Sequence, residues 1–119
     1  EIMANAARQR GLGGLVIDGC VRDADLLEEL GFPVFARGLC IRGTGKDFGA
    51  RGWINHPVLF GSLTVSAGDL VVGDRDGVVV VPLARAEAVV TAAEEREAKE
   101  AQVLQRIAAG ERTLELYNF

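Results

Sequence analysis

The sequence is poor in residues on which several protein classes depend. It holds two cysteines and one histidine in 119 residues. Two cysteines cannot build a multi-disulfide scaffold, and Cys20 and Cys40 lack the CxxC spacing of zinc sites, so we expect a protein of the reducing cytoplasm. His56 precedes Pro57 in a predicted strand, and no nucleophile is marked nearby. This position favours a structural role for His56 over a catalytic one.

Long apolar runs and an excess of positive charge are also missing. The longest apolar run covers Val78 to Val81, which is far too short to cross a membrane. The 13 lysine and arginine residues face 17 aspartate and glutamate residues, giving a formal net charge of −4 at pH 7. Because phosphate binding needs clustered positive charge, this balance argues against nucleic acid as a partner. We therefore expect neither a membrane nor a nucleic acid as partner.

The remaining composition is typical of one globular domain. Hydrophobic residues make up 49% and charged residues 25%, unlike a disordered chain. A chain of this length fits a single domain over 1–119. It begins with Glu1 rather than Met, and its first residues show no signal peptide. We expect that an N-terminal portion of the domain precedes Glu1.

The order of apolar and turn-forming residues predicts an α/β fold. The first third alternates helix and strand, as in a βαβ unit. A helix is predicted over 2–10, a strand of the kind buried on both faces over 15–17, and a loop over 18–23. A second helix follows, with Asp23 as N-cap and Gly31 at its end, and then a strand over 32–36. The rest predicts short strands over 53–60, 62–65, 70–72 and 78–81, then a long helix over 83–109 and a tail over 114–119. Asp76-Gly77 indicates a hairpin, and Gly110 indicates the end of the long helix.

A glycine-rich, basic segment lies between the two halves of this pattern. Gly38 to Gly52 contains five glycines interspersed with basic residues. Such a segment could approach an anionic ligand, and a solvated loop is the alternative.

The strongest chemical signal is the segment 18–23, Asp-Gly-Cys-Val-Arg-Asp. It leaves a predicted strand and enters a helix, where open α/β sheets bind their ligands. Arg22 can hold a carboxylate with two hydrogen bonds, and Asp23 can supply an oxygen ligand to Mg²⁺ or Mn²⁺. Together they would form a site for a 2-oxo acid. Alternatively, both residues cap the helix and pair with each other. Cys20 is either a reactive thiol beside Arg22 or a small buried residue.

Three segments in register resemble the RraA-like family: 16–23 (VIDGCVRD), 31–36 (GFPVFA) and the run from 65–74 (VSAGDLVVGD) through 76–82 (DGVVVVP). The family includes 4-hydroxy-4-methyl-2-oxoglutarate/4-carboxy-4-hydroxy-2-oxoadipate aldolases and the regulator of ribonuclease E activity. The resemblance implies a β/β/α swivelling-domain architecture with a long C-terminal helix. It also implies a homotrimer or homohexamer with the active site at a subunit interface.

The resemblance also implies roles for individual residues. Arg22 matches the arginine that binds the carboxylate and carbonyl of the pyruvyl group, and Asp23 matches the aspartate that binds the metal. The end of a loop whose backbone amides hold the substrate matches Glu1, Ile2 and Met3. Glu1 also matches an acidic residue that orients water around the metal. Glu97 matches a glutamate from the neighbouring subunit, with Glu100 as competing candidate and a solvated helix face as alternative.

These roles imply a metal-dependent aldolase that cleaves a 4-hydroxy-2-oxo acid to pyruvate, with oxaloacetate decarboxylation as a side activity. The motif contains no lysine for a Schiff base, which favours a divalent metal, Mg²⁺ or Mn²⁺. The alternative is a non-catalytic regulator that binds ribonuclease E, for which the acidic balance would suit an arginine-rich target. A methyltransferase is rejected because no glycine-rich loop follows a first strand.

Overall fold

The computed structural model describes residues 1–117. Its backbone contacts divide the chain into two compact units, the first formed by 1–67 with 71–80, and the second by 68–70 with the residues from 81 onward. Helices and strands alternate, and a long helix lies near the C-terminus, so the predicted mixed α/β class is confirmed.

The first unit opens with a βαβ arrangement. Its elements are α1 (Ile2–Gln9), β1 (Leu15–Val21), α2 (Ala24–Leu30) and β2 (Val34–Leu39). Strands β1 and β2 pair in parallel from Leu15↔Val34 to Val21↔Leu39, and α2 makes the crossover that parallel strands require. Gly31 ends α2 with φ 64°, a left-handed conformation that glycine adopts without strain. The βαβ prediction is confirmed.

Strand β1 differs from its prediction in length and in burial. The segment 18–21, predicted as part of a loop, continues the strand because β2 is long enough to pair with it, and the Cys40 N–H donates to the Val21 carbonyl at 2.9 Å. The prediction of burial on both faces is wrong, because Leu15 and Ile17 remain 39% and 38% exposed. Among the described residues β1 has β2 as its one hydrogen-bonded neighbour.

Short strands follow, of which the first two pair antiparallel. They are β3 (Val58–Phe60), β4 (Leu63–Val65), β5 (Leu70–Gly73) and β6 (Val78–Val81), with β3 paired to β4 and β5 to β6. Asp74 closes the predicted β5–β6 hairpin, since its carboxylate accepts the Asp76 and Gly77 N–H groups at 2.8 and 3.2 Å.

The predicted strand over 53–60 is correct only for its last three residues. Asn55 has φ 59°, a left-handed value that an extended strand does not accommodate. His56 is exposed and lies outside any strand, with its ring 6.0 Å from that of Trp53.

The second unit is dominated by the helix α3 (Ala86–Ala108), preceded by a 3₁₀ turn over Leu83–Arg85 and followed by α4 (Thr113–Leu116). The Asp69 carboxylate accepts the Leu83 N–H at 3.0 Å, and Gly110, with φ 95°, follows the end of α3. The long helix is confirmed, with its first residues in the tighter 3₁₀ form. The predicted tail over 114–119 lies in α4 as far as Leu116, and its positions 118–119 fall outside the described residues.

The buried apolar set is small. In the described part of the chain it consists of Ala4, Phe32 and Val81. Within residues 1–117, no helix combines the length and the apolar character needed to span a membrane.

Candidate active site

Arg22 and Asp23 lie at the junction between β1 and α2. Asp23 occupies the predicted N-cap position, and its carbonyl accepts the Leu27 N–H at 3.0 Å. Its backbone is left-handed, with φ 64° and ψ 43°, a conformation that aspartate tolerates better than most residues. Among the residues described, its side chain makes no capping bond to α2. The carboxylate instead faces the start of α1, where the Glu1 backbone nitrogen lies 3.1 Å from Asp23 Oδ2.

The two side chains form a loose ion pair. Arg22 Nε lies 3.8 Å from Asp23 Oδ2, beyond hydrogen-bond distance, and the side chains are 55% and 32% exposed. A pair this open to solvent is weak, so each group keeps capacity for a ligand. The alternative, in which Arg22 and Asp23 pair only with each other, is therefore supported only by this loose ion pair.

A cavity of about 240 Å³ brings the predicted residues together. It is lined by polar groups at the start of α1 and the end of β1 and by apolar side chains beneath them: Glu1, Ile2, Met3, Ala4, Leu15, Val21, Arg22, Asp23, Leu27 and Val34. Five of the six residues predicted for the site thus line one cavity. Its volume lies below the about 300–1,000 Å³ of drug-sized pockets, as suits a small acid.

The charges in this cavity are complementary to a metal and a carboxylate. The cavity is lined by the Arg22 guanidinium and the Asp23 carboxyl, which loses its proton well below neutral pH as aspartate side chains do. Asp23 is therefore an anionic oxygen donor at neutral pH. The Arg22 guanidinium, which does not lose its proton in proteins, places a planar cation beside it.

The residues present fit an ion of the Mg²⁺ type. Such ions are bound through one or two carboxylates, with water completing the coordination. The Asp23 and Glu1 side chains both line the cavity. Within residues 1–117, no group of three or more His, Cys, Asp or Glu side chains is arranged to hold a metal. An ion here would therefore take few protein ligands, and Asp23 is the first of them.

The glycine-rich segment approaches this site at Gly43. A Cβ atom placed on Gly43 would lie 3.6 Å from Arg22 Nη1, so the backbone passes beside the guanidinium. Most of the segment is irregular and exposed, in agreement with the solvated-loop interpretation. Because Gly43 lies beside Arg22, the interpretation that the segment approaches an anionic ligand stays open at this one position.

The other predicted residues lie elsewhere. Glu97 and Glu100 are exposed on α3 in the second unit, and Glu100 accepts a hydrogen bond from Arg96 Nε at 2.8 Å. Cys20 and Cys40 are both exposed, so the alternative of a buried Cys20 is wrong.

Two hydrogen bonds of Asp18, which join β1 to neighbouring elements, were not predicted from the sequence. Arg37 Nε donates to Asp18 Oδ1 at 2.5 Å, and the Gly61 N–H donates to Asp18 Oδ2 at 3.3 Å. These two hydrogen bonds, first that of Arg37, lower the pKa of Asp18. The available signal was a charged residue following an apolar run in β1, with an arginine at the matching place in β2.

Comparison with known proteins identifies relatives of this chain. A profile of the RraA-like family, described as Aldolase/RraA, matches residues 1–80. A Halalkalibacterium halodurans protein named "Putative 4-hydroxy-4-methyl-2-oxoglutarate aldolase" is 37% identical over 98 residues, covering 82% of this chain and 46% of that protein. An uncharacterised protein of Methanocaldococcus jannaschii is 37% identical over 112 residues, covering 94% of this chain and 53% of its own length.

A solved structure supports the same relationship. The crystal structure of an uncharacterised protein from Pseudomonas syringae pv. tomato superposes with a TM-score of 0.81 at 32% identity, covering 99% of this chain and 58% of the other. The chain spans about half the length of the curated relatives it matches. With a family profile that matches two thirds of its residues and a shared fold, the chain belongs to the RraA-like family.

Proposed function

We propose that the protein is a divalent-metal-dependent aldolase that cleaves a 4-hydroxy-2-oxo acid of the 4-hydroxy-4-methyl-2-oxoglutarate type to pyruvate. The observation that carries the proposal is the cavity in which Arg22, Asp23 and the start of α1 meet. The name of the Halalkalibacterium halodurans relative points to the same reaction. We further propose that the enzyme acts in the cytoplasm as a homotrimer or homohexamer.

Arg22 supplies the main binding contact in this proposal. Its guanidinium offers paired N–H donors to the carboxylate of the 2-oxo acid, a geometry that a lysine ammonium cannot reproduce. Asp23 would hold Mg²⁺ or Mn²⁺, which supplies Lewis-acid polarisation of the 2-oxo group. Arg22 then faces the charge that develops as the bond breaks, so its attraction is stronger in the transition state than in the bound substrate.

The cleavage is a retro-aldol step. The hydroxyl on C4 loses its proton and becomes a carbonyl, the C3–C4 bond breaks, and its electron pair passes to C3 as the pyruvate enolate. A proton delivered to C3 completes pyruvate. A water oriented by Glu1, which lines the cavity, or by Glu97 of a neighbouring subunit is the candidate to take the hydroxyl proton.

Oxaloacetate tests this site directly. Its decarboxylation breaks a C3–C4 bond and leaves the same pyruvate enolate, so a site that stabilises one reaction should accelerate the other. We expect Mg²⁺-dependent pyruvate release from oxaloacetate in a coupled lactate dehydrogenase assay. Arg22→Ala and Asp23→Ala should each lower kcat/KM by about 100- to 1,000-fold, as loss of a group that stabilises developing charge does.

Arg112→Ala provides the matched control. It removes an exposed arginine, paired to Glu115 at 2.5 Å in the second unit, and should leave pyruvate release unchanged. Wild-type rates in the Arg22→Ala and Asp23→Ala variants, measured with metal present, would refute the proposal.

The exposed acidic face of α3 favours a second candidate, a regulator that binds an arginine-rich segment of ribonuclease E. Its residues 94–100 carry four glutamates, all exposed. Such a protein would bind the basic segment with a strong salt dependence and would release no pyruvate from either acid.

A further inference from the structure

The β1–β2 ladder is irregular just before Arg22 and Asp23. Ile17 pairs with Ala36 and Cys20 pairs with Gly38, so β1 advances three residues while β2 advances two. Strand β1 therefore carries one extra residue in the segment 18–19. Irregularities of this kind recur beside active sites, where they redirect the chain that follows.

The extra residue sets where the end of β1 lies. A regular ladder continued from Ile17↔Ala36 would pair Cys20 with Leu39, whereas Val21 holds that place. The difference is one residue, or about 3.3 Å along the strand. Arg22 and Asp23 follow Val21 immediately, so a loss of the irregularity would displace both by about the length of a hydrogen bond.

Asp18 lies within the irregular segment and bonds to two separate elements. One carboxylate oxygen accepts Arg37 Nε of β2 at 2.5 Å, and the other accepts the N–H of Gly61, in the β3–β4 turn, at 3.3 Å. The Asp18 and Arg37 side chains are 35% and 64% exposed. Exposed ion pairs add little to the free energy of unfolding, so this one matters chiefly through the geometry that it fixes.

We propose that Asp18 and Arg37 are positioning residues for the Arg22–Asp23 site. Their hydrogen bonds hold the extra residue of β1 against β2 and the β3–β4 turn. The end of β1 therefore stays in the register that places Arg22 and Asp23 at the cavity. The link to catalysis rests on the proposed aldolase function. The link to strand register rests on the pairing and the hydrogen bonds alone.

The test compares Asp18→Ala, Asp18→Asn and the control Arg112→Ala in the full-length chain. Three quantities are measured: the split between kcat and KM for oxaloacetate with Mg²⁺, hydrogen exchange of the Cys40 amide, which is bonded to Val21, and the urea midpoint. We expect Asp18→Ala to lower kcat about 100-fold, as ångström-scale misplacement of catalytic groups does, with a smaller change in KM. Asp18→Asn keeps an oxygen acceptor and should recover most of the loss.

The exchange measurement separates the two proposals. The Cys40 amide should exchange faster in Asp18→Ala and at the wild-type rate in Arg112→Ala. If the wild-type protein releases no pyruvate, the aldolase proposal fails, and faster Cys40 exchange still supports the positioning role. Unchanged kcat and an unchanged exchange rate of the Cys40 amide in a folded Asp18→Ala protein would overturn the positioning role. If Asp18→Ala does not fold, Arg37→Lys, which keeps the charge and loses the planar guanidinium, is judged by the same two results.

Discussion

Gly73, at the end of β5, lies against the ring of Phe35 in β2. A Cβ atom built on Gly73 would fall 2.6 Å from Phe35 Cζ and 2.8 and 2.9 Å from the two Cε atoms. Non-bonded carbon atoms prefer separations of about 3.5–4.0 Å, so Gly73→Ala creates an overlap of about 1 Å. The half-buried ring must turn away, and because β2 also carries Arg37, the substitution strains the strand on which Asp18 depends.

Overpacking of this size costs about 1–3 kcal/mol, and since the overlap falls on the far edge of a ring that can rotate, we expect about 1–2 kcal/mol. Urea unfolding followed by circular dichroism measures this loss. Gly13→Ala is the control, because its Cβ would meet no atom within 4 Å. Adding Phe35→Leu to Gly73→Ala should recover part of the stability. Equal urea midpoints for Gly73→Ala and Gly13→Ala would show that the Phe35 ring leaves room for a Cβ atom at position 73.

Three further predictions concern the core, the Asp18 pair and α3. Phe32 is 6% exposed, so Phe32→Ala should lower the free energy of unfolding by about 3 kcal/mol, measured by urea unfolding; a loss below about 1 kcal/mol would contradict its place in the core. Arg37, then Gly61, lowers the pKa of Asp18 from 3.8, so the stability from this contact is present above pH 3.8 and is lost as pH falls through the lowered pKa. Unfolding measured against pH should therefore separate Asp18→Asn from wild type at neutral pH and show the two converging in acid; a constant difference would contradict this linkage. Glu97→Gln should slow pyruvate release whereas Glu100→Gln, whose residue already pairs with Arg96, should not, and the reverse order would assign the role to Glu100.

Local signals were enough to predict the element order. Gly31 ends α2 and Asp76-Gly77 makes a hairpin because their backbone preferences act over a few residues. The extent of β1 depends on hydrogen bonds to β2, which begins 13 residues after β1 ends, so no local pattern could fix it. The strand predicted from Trp53 onward was too long for a different, local reason. Its apolar residues favour a strand, but Asn55 adopts a left-handed conformation that interrupts one.

The candidate site was predictable where sequence neighbours carry it. Arg22 and Asp23 are adjacent, so the turn from strand to helix places them together, and the resemblance supplied Glu1 to Met3. The hydrogen bond between Asp18 and Gly61 joins positions 43 residues apart, and it forms only because the β3–β4 turn lies beside β1. Only the assembled fold shows that proximity. The exposure of Cys20 likewise depends on which elements cover β1, and composition does not reveal this.

The central claim is that Arg22 and Asp23 jointly hold a 2-oxo acid and its divalent ion. Anomalous diffraction from crystals soaked with Mn²⁺ and pyruvate tests it most directly. We expect a manganese peak within about 2.0–2.5 Å of an Asp23 carboxylate oxygen, with the pyruvate carboxylate against the Arg22 guanidinium. Both features should vanish in Asp23→Asn crystals. A manganese peak away from Asp23, or pyruvate bound without contact to Arg22, would show that the two residues do not hold the acid and its ion together.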